Sequence, residues 1–496
     1  MNIRSYILFN RFRIVPAILL PVICSPLSAM AQNEQKMFWA LNGNAAASAL
    51  TWDATTGNSR IDNGSGTWNN VNTNRTWTSN GGTTDVAWRP GAAAIFGSNN
   101  TGGGAAGTVA LAASQTVNSL TFNPPVSGTF TLTEGAGNYT IFNTTGKIIA
   151  NASATLNTTL GGSAGLTLSG TGTITLDSAT VYTGTTTINS GTLLLSNGIA
   201  NSYTPTLATA IVIASGGTLS ANIASGNINL LGNISGAGAL NMPNTTQTQT
   251  LRLFGNNSGF TGSFSEPANA RGLMWSDDQA TGNASNTGSA AASWNLSGSF
   301  GFIEATGAAT PTVQLGSLSG TNTATTLGGF GGTATSTFQI GALNTSTTFA
   351  GAIEDNPQAT GTPTIALIKV GTGTLTLSGT NTYSGATTVN AGTLAFTTAI
   401  PSSNTWNIAV NATSTPTSAS SGLMTMPTSI LTTMLGKTLN ILLTGSTTGF
   451  TWTAMTFNNT FLIGPALQVN GVGVTSGIAS GGTTVTFTGT TITVKR

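Results

Sequence analysis

The 496-residue chain has no histidine, a single cysteine and only 5% charged residues. Without histidine, a Ser-His-Asp triad, a Cys-His pair and a histidine-ligated metal are all excluded. The cysteine, Cys24, lies in an N-terminal segment that we expect to be removed. The mature chain would then lack a thiol for catalysis, disulfide bonding or metal binding. With so little charge, the surface must be covered mainly by Thr, Ser, Asn and Gly.

The N-terminus has the pattern of a secretory signal peptide. An apolar stretch, Ile14–Leu27, leads to the small side chains of Ala29 and Ala31, which predicts cleavage before Gln32. The basic residues ahead of the apolar stretch are Arg4, Arg11 and Arg13. The stretch is too short to serve comfortably as a membrane anchor, so we expect no membrane span in the mature chain.

Removing this peptide changes the charge balance. The chain has 14 basic and 12 acidic residues, and the loss of three arginines leaves 11 basic against 12 acidic residues, a formal net charge of −1. No basic stripe remains to neutralise phosphates, so we expect no nucleic-acid partner. The sequence also has no G-x-x-x-x-G-K-[ST] loop and no D-x-D-x-D-G loop, and we expect no cofactor and no metal.

The strongest pattern is a passage that occurs twice, at residues 170–194 and 371–395, with 14 of 25 positions identical. Each copy alternates Thr with Ile or Leu, as in Thr173–Leu176, which is the period of a half-buried strand. Glycines mark sharp bends between three short strands. Internal repeats of this kind indicate stacked units, so the passage predicts one rung of a β-solenoid. The shared corner positions are Gly170, Gly172, Tyr182, Gly184, Asn189 and Gly191 in the first copy, and Gly371, Gly373, Tyr383, Gly385, Asn390 and Gly392 in the second.

The second copy closely resembles the autotransporter-associated β-strand repeat of secreted and surface-exposed bacterial proteins. The match runs through Lys369–Gly385 and continues through Thr387–Leu394, and the copy at 170–194 is a weaker match. The resemblance implies a right-handed parallel β-helix and export, and it implies no particular reaction. Only 101 residues follow the second copy, so we expect no translocator barrel in them and take the resemblance to cover only the passenger-type repeat.

These patterns predict an all-β chain in four segments. Residues 1–31 are the signal peptide, 32–104 a Trp-rich cap or first rungs, 105–400 the β-solenoid, and 401–496 C-terminal rungs or a cap. Within the last segment, Ile430–Leu443 is read as a short helix or a less regular rung, and Thr484–Val494 as a terminal strand or cap.

The Trp-rich segment allows two interpretations. Its indoles could close the open end of the solenoid, or they could form a flat platform that stacks on sugar rings. We favour the cap, because tryptophan is more often buried than ligand-facing. The candidates for glycan contact are Trp52, Trp68, Trp77 and Trp88.

Carboxylates are the remaining candidates for catalysis. Glycoside hydrolysis needs a pair of them, and the chain has Asp277 next to Asp278 and Glu354 next to Asp355. Adjacent strand residues point to opposite faces, and both pairs lie among loop-forming residues, so an exposed turn is the better interpretation. We therefore expect that the protein is not an enzyme.

The sequence as a whole predicts an exported structural or adhesin-like protein at the cell surface or in the extracellular matrix, with a periplasmic location left open. Its expected partners are surface polysaccharide, matrix components or other copies of itself. Two alternatives remain: a carbohydrate-binding protein that uses the N-terminal tryptophans, and, less favoured, a polysaccharide-degrading β-helix enzyme.

Overall fold

A computed structural model gives the fold of the described part of the chain. Its residues all belong to one compact unit, Ser48–Arg496. The predicted signal peptide, with Ala29, Ala31 and Gln32, lies outside the described residues. The described residues are 49–79, 81–98, 103–196, 206–222, 227–243, 250–268, 270–276, 288–304, 310–359, 361–398, 405–411, 421–426, 438–444, 451–457, 466–469, 472–473, 477–479, 483–488 and 491–495.

This part of the chain is almost entirely β-structure, with 42 strands in three sheets and a single short 3-10 turn, Gly135–Gly137. The first sheet contains Leu50–Trp52, Gly66–Trp68, Trp77–Thr78, Asp85–Val86, Ala93–Phe96, Thr108–Leu111, Gln115–Phe122, Phe130–Thr133, Thr140–Ala150, Ala154–Asn157, Thr159–Gly161, Leu166–Gly170, Thr173–Leu176, Thr186–Ser196, Ile211–Asn222, Ile234–Ser235, Ala239–Asn241, Ser263–Ser265, Gly288–Asn295, Thr312–Ser319, Thr335–Ile340, Thr364–Lys369, Thr387–Val389, Thr405–Asn411, Thr438–Thr444, Ala466–Val469 and Val472–Gly473. The second contains Thr206–Leu207, Ile228–Leu230, Thr250–Leu253, Gly272–Ser276, Phe300–Glu304, Thr326–Phe330 and Ala352–Ile353. The third contains Thr347–Phe349, Thr374–Leu377, Gly392–Phe396, Gly422–Met426, Thr451–Phe457, Gly477–Ala479, Thr483–Thr488 and Thr491–Lys495.

Most of these strands pair in parallel with the equivalent strand one turn earlier and one turn later. Thr155, for example, lies between Thr131 and Thr175, and all three are in register. The advance per turn varies, because Ile174 pairs with a residue 19 positions later whereas Met424 pairs with one 31 positions later. Parallel pairing between successive turns is the defining feature of a β-solenoid, and the predicted fold class is confirmed. The handedness of the coil stays a prediction.

The alternating pattern of the sequence places the core. In Thr173–Leu176 the two apolar side chains are buried and the two threonines are half-buried. A branched threonine suits this pleated, half-covered surface, while each buried Leu or Ile contributes about 1.5–3 kcal/mol. The inward side chains of successive turns form one continuous hydrophobic core from Leu50 to Val494.

The repeated passage covers one turn and the start of the next. Its first and third strands pair with each other, Ile174 with Leu193 in the first copy and Leu375 with Leu394 in the second. The prediction of three strands within one rung is corrected here, because 19 residues already bring the chain back to the same face. In the first copy the second and third strands form one bent strand, Thr186–Ser196.

Antiparallel strands lie at both ends of the stack. At the N-terminal end, Leu50–Trp52 pairs antiparallel with Trp77–Thr78, which pairs antiparallel with Asp85–Val86. At the other end, Thr451–Phe457 pairs antiparallel with Thr491–Lys495. Such strands cover edges that would otherwise be open to pairing with another chain.

The described residues of the C-terminal segment continue the stack. Thr438–Thr444 is a strand in parallel register with Thr405–Asn411, so a helix over the second half of 430–443 is wrong. Residues 430–437 lie outside the described residues. Thr483–Thr488 and Thr491–Lys495 are strands, as the alternating pattern near the end of the chain predicts.

Candidate functional site

The N-terminal tryptophans form a closed aromatic cluster. Trp52, Trp68, Trp77 and Trp88 are at most 2% exposed. Their ring centroids lie 4.6 Å apart for Trp77 and Trp88, 4.9 Å for Trp68 and Trp88, and 5.4 Å for Trp52 and Trp77. Phe96 continues the cluster into the core of the next turn, 5.7 Å from Trp68. The glycan-contact interpretation is corrected here, because stacking on a sugar needs an open ring face and these rings have none. The arrangement is that of a packed end to the stack.

A buried carboxylate lies beside this cluster. Asp53 is fully buried and its Oδ1 accepts hydrogen bonds from the amides of Asp62, at 3.1 Å, and Thr55, at 3.3 Å. Burial raises the pKa of Asp53 to about 6, with smaller contributions from the nearby charges of Asp85 and Asp62, and the two amides oppose the rise. Its interactions hold the loop between the first strand and Asp62, which is a structural role.

In the repeat, each copy has one tyrosine–threonine pair at the same place. The hydroxyl of Tyr182 lies 2.8 Å from Thr186 Oγ1, and that of Tyr383 lies 2.8 Å from Thr387 Oγ1. Both tyrosines are buried, and burial raises the pKa of Tyr182 to about 12. The tyrosine therefore stays protonated and connects the loop to the strand that follows it.

The corner glycines are needed because neighbouring turns approach closely. Gly191 and Gly392 have φ values of 74° and 63°, which other residues rarely adopt. A Cβ on Gly392 would lie 2.4 Å from the carbonyl oxygen of Gly371. At the remaining repeat glycines an added Cβ would come within 2.5 Å of the backbone of the preceding turn, namely at Gly170, Gly172, Gly184, Gly371, Gly373 and Gly385. Asn189 and Asn390 are exposed at the outer side of the corner.

Lys369 occupies a position where the alternating pattern calls for an apolar residue. It pairs with Ile340 and Val389 in an inward column and is 1% exposed. Its Nζ donates hydrogen bonds to the carbonyl oxygens of Val370 at 2.7 Å, Gly371 at 2.7 Å and Ala391 at 3.2 Å. Burial lowers the pKa of Lys369 to about 8, while the carbonyl oxygens favour the charged form. The lysine ties together two successive turns at the repeat corner.

Of the two acidic pairs, the structure describes only Glu354–Asp355, which lies at a bend of the chain. Asp277–Asp278 lies outside the described residues. Asp355 accepts hydrogen bonds from the amides of Ile365, at 2.8 Å, and Ser384, at 3.0 Å, and so holds the turn above it in place. Glu354 is half-buried. Among the described residues, no group of three or more His, Cys, Asp or Glu side chains could hold a metal ion.

One part-buried ion pair has no signal in the sequence. Nη2 of Arg252 lies 2.6 Å from both carboxylate oxygens of Glu304 and 3.4 Å from the sulfur of Met274. Beside this ion pair, Phe300 and Phe302 stack with ring centroids 4.2 Å apart. The partners are 52 positions apart, and only the register of the coil brings them together.

In the part of the chain that the structure describes, no helix has the length and apolar composition needed to cross a membrane.

Comparison with known proteins identifies the repeat. The family model described as Passenger-associated-transport-repeat matches residues 166–195 and 367–396. These are the two copies of the repeated passage, each with its lead-in strand, so the predicted family of the repeat is confirmed. No curated protein and no solved structure matches the chain.

Proposed function

We propose that this chain, a protein of the passenger-associated-transport-repeat family, is an exported, non-catalytic scaffold with an adhesin-like role at the bacterial cell surface or in the extracellular matrix. The observation that carries the proposal is the place of the two repeats in the stack. Each closes a turn of the coil in register with the turns around it. The repeat thus supplies the architecture, and the family is associated with passenger domains that are carried to the cell surface.

The outer surface supports a contact role. One column of strand positions runs in register through nine turns, and it contains small polar residues and one leucine but no charged residue. Ser265 and Asn295 are exposed, Ser220 is buried, and the other members are half-buried. Its members are Thr131, Thr155, Thr175, Leu194, Ser220, Asn241, Ser265, Asn295 and Ser319. A hydroxyl- and amide-bearing surface without charge suits hydrogen bonding to a neutral polysaccharide better than attraction to an ionic one.

The use of the acidic groups supports a non-catalytic role. Asp355 is bonded to backbone amides and Glu304 to Arg252. A general acid or base must reach the reacting atoms of a substrate, and these two carboxylates are already engaged in holding the fold. Glycan turnover on a broad polysaccharide panel should therefore be absent, and reproducible turnover that is lost on changing a carboxylate would refute the non-catalytic proposal.

Export and adhesion are tested separately. A tagged full-length chain in a bacterial host should become sensitive to protease added to intact cells, and a chain that stays fully protected inside the cell would overturn the proposal.

For adhesion, the purified protein should bind neutral polysaccharide or matrix. Ser265→Lys combined with Asn295→Lys should weaken that binding by adding charge to two exposed positions of the column, whereas Val126→Lys, at a 60% exposed site elsewhere, should not.

A further inference from the structure

Glu266 is a carboxyl group buried at a corner of the solenoid. It directly follows the strand Ser263–Ser265, where Phe264 points inward and the two serines are exposed. The alternation continues by one residue, so Glu266 takes the inward direction and is only 5% exposed. Pro267 then turns the chain away.

In the part of the chain that the structure describes, the carboxyl group has one hydrogen-bond partner. Its Oε1 accepts a hydrogen bond from the amide of Gly298, one turn later, at 2.9 Å. Its Oε2 is buried and has no partner among the described residues. The fit is close, since a Cβ on Gly298 would lie 2.7 Å from the carboxyl carbon. An ionised carboxylate would leave half of its charge without hydrogen bonds, which is costly in such a place.

The same corner connects three successive turns. Nδ2 of Asn322 donates hydrogen bonds to the carbonyl oxygens of Ala268, at 3.1 Å, and Ser297, at 2.9 Å. Thr325 Oγ1 donates to the carbonyl oxygen of Gly298 at 2.6 Å. The position of the Gly298 peptide therefore depends on Glu266 on one side and on the next turn on the other.

No opposite charge faces Glu266. The described segments at this corner, 241–243, 263–268, 270, 295–299 and 320–325, contain no other titratable or charged residue. The nearest basic residue along the chain, Arg271, is exposed, and its guanidinium lies over the ring of Phe300, 5.8 Å from the centroid. Among the described residues, an ionised Glu266 would have neither a counter-ion nor a second hydrogen bond.

We propose that Glu266 is a pH-sensitive latch, which holds the three-turn corner closed while its carboxyl is protonated and loosens the corner when the proton leaves to water. Burial raises the pKa of Glu266 from 4.5 to about 8, and the Gly298 amide opposes the rise. The folded form therefore binds the proton more tightly than the open form. The stability of the corner is complete below about pH 4.5, falls as the pH rises, and has lost this contribution above about pH 8.

Hydrogen exchange followed by mass spectrometry tests the latch. The measured quantity is the opening constant of peptides covering 293–300, after correction for the intrinsic pH dependence of exchange. Between pH 5 and 8 this constant should rise by up to about tenfold per pH unit. In Glu266→Gln, which keeps the shape without the charge, the rise should disappear. Glu134→Gln, at a half-buried glutamate outside this corner, should retain the wild-type profile.

Two results would overturn the latch. One is the same rise in Glu266→Gln as in the wild type. The other is a flat wild-type profile, and this measurement does not depend on any variant folding. Peptides around Gly172, whose amide donates to the carbonyl oxygen of Ala150 at 2.7 Å, provide the internal reference within the wild-type chain.

Discussion

Replacing Lys369 by leucine should weaken the second repeat even though the site lies in an apolar column. The change removes three hydrogen bonds from Nζ to carbonyl oxygens, at 2.7, 2.7 and 3.2 Å. A buried acceptor that loses its partner costs about 1–3 kcal/mol. Against this, leucine no longer has to bury an ammonium group. We expect a net loss of about 2–4 kcal/mol in the opening free energy of this corner.

The first repeat supplies the control for this prediction. There the equivalent position is Leu168, and the two turns are tied instead by the Gly170 amide, which donates to Ser190 Oγ at 3.0 Å. The second repeat has Ala391 where the first has this serine. Ala391→Ser should therefore restore about 1 kcal/mol to Lys369→Leu, and it should add much less to the wild type.

The measurement should be local, because a long repeat array need not unfold in a single step. Hydrogen exchange of peptides covering residues 369–392 reports on the corner, with peptides covering 168–191 as the unaffected reference. The reasoning would be refuted if Lys369→Leu left the opening free energy unchanged or raised it. It would also fail if Ala391→Ser were equally stabilising with and without the lysine.

Three further predictions concern the corners and the N-terminal cluster, each followed by local hydrogen exchange or a denaturation midpoint. Gly392→Ala should lower the local free energy of opening by at least about 1–3 kcal/mol, because it adds φ strain and a clash with the preceding turn. In the control Gly57→Ala the added Cβ meets nothing within 4 Å, so only the φ strain should remain. Equal losses in the two variants would argue against the clash. Tyr383→Phe should cost about 1 kcal/mol, and in a double-mutant cycle with Thr387→Val the two losses should be less than additive, because both changes break the same hydroxyl pair; fully additive losses would contradict this. Trp68→Ala should cost about 3–5 kcal/mol by opening a cavity, and a near-neutral effect would contradict a closed cluster.

Local alternation was sufficient to predict the strands, but it could not predict which residues meet. Thr173–Leu176 shows its inner and outer sides directly in the sequence, and the burial of its side chains agrees. Glu266 follows the same inward alternation after Phe264, yet only the stacked coil shows that no charge faces it. Arg252 and Glu304 meet because turns of unequal length come into register, and no sequence spacing encodes that.

The N-terminal tryptophans show a second limit of sequence reasoning. A dense group of indoles fits a cap and a sugar platform equally well, because both need large flat rings. The choice depends on whether the ring faces are covered, which depends on the antiparallel strands that close this end. The general tendency of tryptophan to be buried favours the cap, and the packing of Trp68 against Trp77, Trp88 and Phe96 supports it in this protein.

The closure of each repeat after 19 residues has a consequence for how such a chain can change in evolution. A segment that begins and ends at equivalent points of the coil can be duplicated or deleted in the gene without rotating anything that follows. Such an event adds or removes a single turn and preserves the inward columns on either side. Recombination between the two copies, which lie 201 positions apart, would change the chain by several whole turns at once, while the end structures and the rules of side-chain stacking stay the same.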